Sequence, residues 1–177
     1  MNGGAVLTIA STSDPDGAPV CQLTWGPVQW YAGVAEVRQT AMDLLSVAAY
    51  AEWIHLLIAR LDLAPPVVEQ ITADLMRASG RTTDHGHADT VMLYPASGRR
   101  KGRRESVIIV KRGALDGMVT VPEGRAMARQ WLEVAEATES DQLVAEALRG
   151  TGVAGGTARL VFAYLRELRD RAGAAAR

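Results

Sequence analysis

A chain of 177 residues with 48% hydrophobic residues is long enough to bury a core and too apolar for general disorder. Its one cysteine, Cys21, excludes an internal disulfide and any multi-cysteine metal site. The formal net charge is only -1, so no overall field directs the chain to a polyanion, and any charge chemistry must come from local clustering.

Aromatic residues make up 5% of the chain, which leaves the core to Ala, Val, Leu and Ile. Residues 5–10 (AVLTIA) read as a short strand. Asp14-Pro15-Asp16-Gly17 carries strong turn chemistry. Residues 20–25 read as a second strand and residues 28–31, after Gly26-Pro27, as a third. From Val34 the apolar period changes: Val37, Ala41, Leu44, Leu45, Ala48 and Leu56 recur at helical spacing, giving one long helix to about Leu61. Its second half, AYAEWIHLLIARL, is apolar on most sides, the mark of a buried or partner-facing helix. Pro65-Pro66 opens a second helix, with Val67, Val68, Ile71, Leu75 and Met76 on one face and Gly80 as its stop. A polar loop leads to a strand at residues 90–94. Residues 106–111 (SVIIVK) are β-branched and strand-like. Residues 113–117 read as a turn into a strand at residues 118–121. Pro122 opens a third helix to about Ala137, Thr138 or Ser140 caps a fourth ending at Gly150, and residues 152–156 form a glycine joint. A last amphipathic helix covers residues 157–172, with Leu160, Val161, Tyr164, Leu165 and Leu168 inward, before a frayed tail at 173–177.

This order gives an α+β fold: two short antiparallel β units, each followed by helices, in a single domain over residues 1–172 or in two lobes, 1–80 and 90–150, plus the terminal helix. The segment GPVQW before AMDLLSVA (residues 41–48) parallels GMVTV before ARQWLEVA (residues 128–135), which suggests an internal repeat. Asp43, Glu52, His55 and Arg60 interrupt the most apolar stretch and argue against a membrane span. The sequence MNGGAVLTIAS lacks the basic region and apolar run of a secretory signal. The expectation is a soluble, cytoplasmic chain with no membrane partner.

The charge map is uneven. Residues 1–98 hold four arginines against ten acids, for -6, while residues 99–112 hold seven basic residues against one acid, for +6. Residues 113–177 hold eight arginines against nine acids, for -1. Five of the six residues from Arg99 to Arg104 are positive: Arg99, Arg100, Lys101, Arg103 and Arg104. They lie between two strand-like runs, so a β-hairpin would carry them at its tip, with Lys111 and Arg112 farther along its second strand. Like charges this dense call for an anion, and arginine's planar fork fits a phosphate. A basic ribbon of this kind is expected to contact nucleic acid. An acidic protein, a second copy of the chain and plain solvation are the competing expectations. No RNP1 motif, zinc finger or heptad zipper is present.

Other candidate chemistry is thinner. DHGHAD offers Asp84, His85, His87 and Asp89, but no further ligand lies near in sequence to complete a metal site. Cys21 sits in an apolar strand, unlike an activated nucleophile. There is no GxSxG, Walker loop or GxGxxG, and the glycines of residues 150–156 lack the P-loop lysine. No catalytic set is evident, no metal or cofactor is expected, and an enzyme ranks third among the readings. Trp53, Ile54, Leu57 and Ile58 cover much of the long helix and form a candidate protein interface, with tryptophan a common anchor. The leading expectation is a non-enzymatic accessory or regulatory protein whose basic hairpin engages nucleic acid. The alternative is an assembly or adaptor subunit that uses the apolar helix.

Overall fold

The computed structural model describes residues 7–78, 90–100, 103–152 and 155–175. Strands β1 (Leu7–Ser13), β2 (Pro19–Trp25) and β3 (Val28–Ala32) form one antiparallel sheet in the order β1-β2-β3. Helices α1 (Val34–Leu61) and α2 (Pro65–Ala78) follow. Strands β4 (Met92–Arg100), β5 (Arg103–Arg112) and β6 (Leu115–Thr120) form a second sheet, β4-β5-β6, succeeded by α3 (Val121–Gly150) and α4 (Gly155–Ala175). The α+β class with two β-then-helix units is therefore present.

The second β-then-helix segment copies the local plan of the first at a constant spacing. Gly26 and Gly113, 87 residues apart, hold the β2–β3 and β5–β6 turns with φ of 58° and 57°. A side chain is strained at such φ, and a two-residue hairpin turn requires it. The same spacing carries Val28 to Leu115, where β3 and β6 begin, and Val34 to Val121, where α1 and α3 begin. Val20, Glu36, Arg38, Ala41, Leu45, Val47, Ala48 and Glu52 recur as Val107, Glu123, Arg125, Ala128, Leu132, Val134, Ala135 and Glu139. The buried positions coincide as well: Ala41 with Ala128, Leu44 with Trp131, and Ala48 with Ala135.

The chain divides into two compact units. One is built on Arg38–Trp131 and holds the second sheet, α2, most of α1 and the start of α3. Its core combines Leu44, Ala48 and Ala51 of α1, Val68 of α2, Val107, Ile108 and Val110 of β5, and Trp131 of α3. Gly124 on α3 lies where a Cβ would come within 2.5 Å of Ile108 Cδ1, so only glycine fits without displacing that side chain. The other unit comprises Val6–Val37 and Leu132–Arg177 and holds the first sheet, the rest of α3 and α4. Its core is Ile9, Cys21, Leu23, Trp25, Ala135 and Phe162. Each sheet thus clusters mainly with the long helix that follows the other sheet.

Three details depart from the sequence expectations. Residues 121–150 form one helix, not two, because Thr138 and Ser140 donate their hydroxyls to the carbonyls of Val134 and Glu136 and do not cap a new helix. Residues 115–120 form a strand, with the turn confined to Gly113-Ala114. On α4 it is Phe162 that is buried, whereas Leu160, Tyr164 and Leu168 face outward. Among the described helices, α1 alone has the length and apolar composition to cross a membrane. On it Ala41, Leu44, Ala48 and Ala51 are fully covered, while Met42, Trp53, Leu56 and Leu61 are exposed.

Candidate nucleic-acid interface

The β4–β5 hairpin is anchored at one end and polar at the other. Val107, Ile108 and Val110 bury the inner half of β5, the central strand of its sheet. Pro95 interrupts β4, which is tolerable because β4 is an edge strand. β6 pairs with β5 only from Val107↔Thr120 to Arg112↔Leu115. Beyond it the hairpin continues as a two-stranded ribbon through Ser97↔Ser106, Gly98↔Glu105, Arg99↔Arg104 and Arg100↔Arg103. Those four rows project about 14 Å at ~3.4 Å per residue.

The register places arginine opposite arginine in both terminal rows. Directly opposed like charges weaken an antiparallel pair. Lys101, between the two strands, lies outside the described residues together with Gly102. Lys111 and Arg112 are not near the tip: Lys111 pairs with Met92 at the opposite end of β5, about 24 Å from Arg104 by strand rise. Lys111 is exposed there and Arg112 is half-buried.

Gly98 is a packing glycine. A Cβ there would lie 3.1 Å from Val107 Cγ2 and 3.2 Å from Met118 Sδ, so the bare backbone lets both side chains close under the ribbon. The row it shares with Glu105 marks the boundary between the supported ribbon and the basic tip. Glu105 lines a shallow cavity of about 450 Å³ together with Glu52, His55, Ser106, Thr120, Val121 and Pro122. At its edge, Arg125 donates a fork to Glu52 at 2.8 and 2.7 Å. His55 Nδ1 is buried without a hydrogen-bond partner. A smaller cavity of about 210 Å³ lies among Ile54, Ile58, Val68, Thr72, Pro95 and Ser97.

The apolar residues singled out on α1 separate. Trp53 is 60% exposed, Ile54 only 7%, and Leu57 and Ile58 are half-buried. The outward large apolar residues of α1 are Met42, Trp53, Leu56 and Leu61. Asp84, His85, His87 and Asp89 lie outside the described residues. Among the described residues, no group of three or more His, Cys, Asp or Glu side chains could hold a metal ion.

In the other unit, the sequence reading missed a buried polar cluster. Asp141, 3% exposed, accepts a fork from Arg169 at 2.8 and 2.7 Å and a bond from Ser11 at 3.4 Å. This ion pair raises the Arg169 guanidinium above its ordinary value. Cys21 donates its thiol to Thr138 at 3.4 Å, and Gln142 donates to the Pro19 carbonyl at 3.0 Å. Burial raises the Cys21 thiol, with the Thr138 contact opposing that shift. The cluster holds α3 and α4 to the first sheet, and a protonated, covered thiol is no nucleophile. The internal spacing could have revealed it: Thr138 and Asp141 stand where α1 carries Ala51 and Ile54.

No family model matches the chain, and neither do any curated protein or solved structure.

Proposed function

We propose that this is a non-enzymatic nucleic-acid-binding protein, acting in an accessory or regulatory role in the cytoplasm, whose β4–β5 tip contacts the phosphate backbone. The observation that carries the reading is the pair of opposed arginine rows, Arg99↔Arg104 and Arg100↔Arg103, at the free end of a ribbon. The fold does not require that charge. The first sheet builds the same three-stranded plan with a hairpin closed by Asp14-Pro15-Asp16-Gly17-Ala18, which carries acids instead. A charge that the architecture can do without, and that weakens its own strand pairing, has an external anion as its natural complement.

The test is fluorescence anisotropy of a labelled 20-mer DNA duplex with the intact protein and with a variant in which Arg99, Arg100, Lys101, Arg103 and Arg104 are serine. The wild type is expected to bind at low salt and the variant at least tenfold more weakly, with unchanged circular dichroism. Equal binding by the two proteins, or none by either, would remove the reading.

A second reading rests on the exposed stripe of Trp53, Leu56 and Leu61 on α1, each at least half exposed. An assembly subunit would cover this stripe with another protein chain, and the basic tip would then meet an acidic neighbour. Apolar association survives high salt, whereas phosphate contact does not. Sedimentation in 1 M NaCl, compared with a Trp53→Ser variant, separates the two: an oligomer dissociated by the substitution favours the assembly reading.

A further inference from the structure

We propose that the cavity of about 210 Å³ walled by α1, α2 and β4 is a binding site for a small neutral alcohol of the size of phenol. This site is independent of the nucleic-acid reading, and all of its residues belong to the unit built on Arg38–Trp131. Its walls follow from sequence spacing. Ile54 and Ile58 lie one turn apart on α1, and Val68 and Thr72 one turn apart on α2, so each helix directs a neighbouring pair of side chains to the cavity. β4 supplies Pro95, Ala96 and Ser97. Pro95 brings no amide N–H and Ala96 only a methyl, which leaves this stretch of strand apolar and leaves room beside it. Ile54, Val68 and Thr72 are buried, so the floor is set by the core before any ligand arrives.

The polar groups decide what fits. Ser97 lines the cavity, and its hydroxyl oxygen is buried without a hydrogen-bond partner among the described residues. A buried hydroxyl left unmet is costly, so an external group that completes the bond is favoured there. Thr72 donates its hydroxyl to the Val68 carbonyl at 2.7 Å, so that oxygen has only acceptor capacity left. A ligand hydroxyl complements both: it accepts from Ser97 and donates to Thr72. Glu69, exposed at the same cavity, repels a carboxylate or a phosphate. Burying a cation against Ile54, Ile58 and Val68 would cost its hydration. A neutral ligand remains.

Volume sets the body of that ligand. An apolar cavity of about 150 Å³ holds benzene, so about 210 Å³ accommodates a ring and a substituent. One water, at about 30 Å³, would fill roughly a seventh of this space and needs two to four polar partners.

The other unit shows the corresponding corner closed. Asp141 stands 87 residues after Ile54, the spacing that also carries Cys21 to Ile108. Ser11 pairs with Cys21 as Pro95 pairs with Ile108, so Ser11 takes the sheet position of Pro95. There Asp141 accepts from Ser11 and from Arg169 of α4, and the chain's own side chains fill the corner. Around Ile54 and Pro95 the space stays open, beside the unmet hydroxyl of Ser97. The plan closes this corner with an ion pair in one unit and keeps room for a ligand in the other.

The test is fluorine NMR of 4-fluorophenol titrated with the intact protein at pH 7, with amide proton–nitrogen spectra of the same samples. A saturable shift is expected with a Kd of about 1 mM or tighter, which asks no more per atom than small ligands supply. The amide changes are expected to centre on Ile54, Ile58, Val68, Thr72 and Ser97. Fluorobenzene, which lacks the hydroxyl, and 4-fluorobenzoate, which carries a negative charge, are expected to bind at least fivefold more weakly. Ser97→Ala, with unchanged circular dichroism, is expected to weaken 4-fluorophenol at least fivefold and to leave fluorobenzene unaffected. No saturable shift up to 10 mM, amide changes centred elsewhere, or equal binding of 4-fluorophenol by wild type and Ser97→Ala would overturn the assignment. Equal binding of 4-fluorobenzoate and 4-fluorophenol would overturn it too. None of these outcomes bears on nucleic-acid binding by the tip.

Discussion

Asp141 is a carboxylate almost fully covered by protein, and its charge is held by the fork of Arg169 and the hydroxyl of Ser11. A charged hydrogen bond is worth about 1.5–3 kcal/mol, and a buried partner left unpaired costs as much. Arg169→Ala is therefore expected to lower unfolding stability by about 2 kcal/mol in urea titrations, with Arg169→Lys recovering only part because an ammonium lacks the fork. A loss below a few tenths would show that the pair does not anchor α4. Cys21 makes a separate prediction. Its thiol is raised above the ordinary 9.0 by burial, so the folded state holds the proton more tightly than the unfolded state. That contribution to stability is complete below about pH 9 and is lost as pH rises through the folded value. Thiol reagents at pH 7 are expected to label the native protein only as fast as it opens, and wild type is expected to lose more stability above pH 9 than Cys21→Ala. Immediate labelling would contradict the burial. The cysteine's apolar setting was legible from its strand neighbours. The internal spacing could have marked Asp141 as a buried position, but its partner Arg169 was not legible, because it lies 28 residues away on another helix.

At the scale of elements, α3 shows how local chemistry and packing divide the work. Thr120 and Glu123 form a reciprocal cap at its start: Glu123 Oε2 accepts from the Thr120 amide at 2.7 Å and hydroxyl at 2.8 Å. This is the T-x-x-E pattern that satisfies orphan amides of the first turn. One residue on, Gly124 sits against Ile108, which is fully buried and cannot yield cheaply. Gly124→Val is expected to destabilise the protein by about 2 kcal/mol through overpacking, measured by thermal or urea unfolding. A neutral outcome would mean that the core beneath α3 has slack. The boundaries of α1, β2 and β3 were legible because β-branched runs and helical periodicity carry strong local signals. The outer half of the β4–β5 ribbon was not. Residues 97–100 and 103–106 are Ser, Gly, Arg and Glu, poor strand formers, and their extended pairing is propagated from the buried register of Val107 and Ile108. Likewise, Thr138 and Ser140 resemble caps in sequence, but their hydroxyls serve the preceding turn of a helix that α3's packing keeps continuous.

Across the whole molecule, one local β-then-helix plan is used twice, and the two versions differ in the charge of the hairpin tip. The first tip carries Asp14 and Asp16, the second carries Arg99, Arg100, Arg103 and Arg104. The local plan is the same in both, so the basic charge of the second tip is not a requirement of that plan. In the sequence the matching helices and the basic run could be seen, but the register that places arginine opposite arginine could not. The binding reading is tested most directly by the salt dependence of DNA-duplex affinity, measured from 50 to 300 mM NaCl for wild type and for the variant with the tip basic residues replaced. Four or five phosphate contacts release counterions with a slope of log K on log salt of about -4, since each contributes roughly -0.9. We expect that slope in the wild type and one shallower than about -1 in the variant. A wild-type affinity that does not change with salt, or a variant that keeps the full slope, would contradict phosphate binding at this tip.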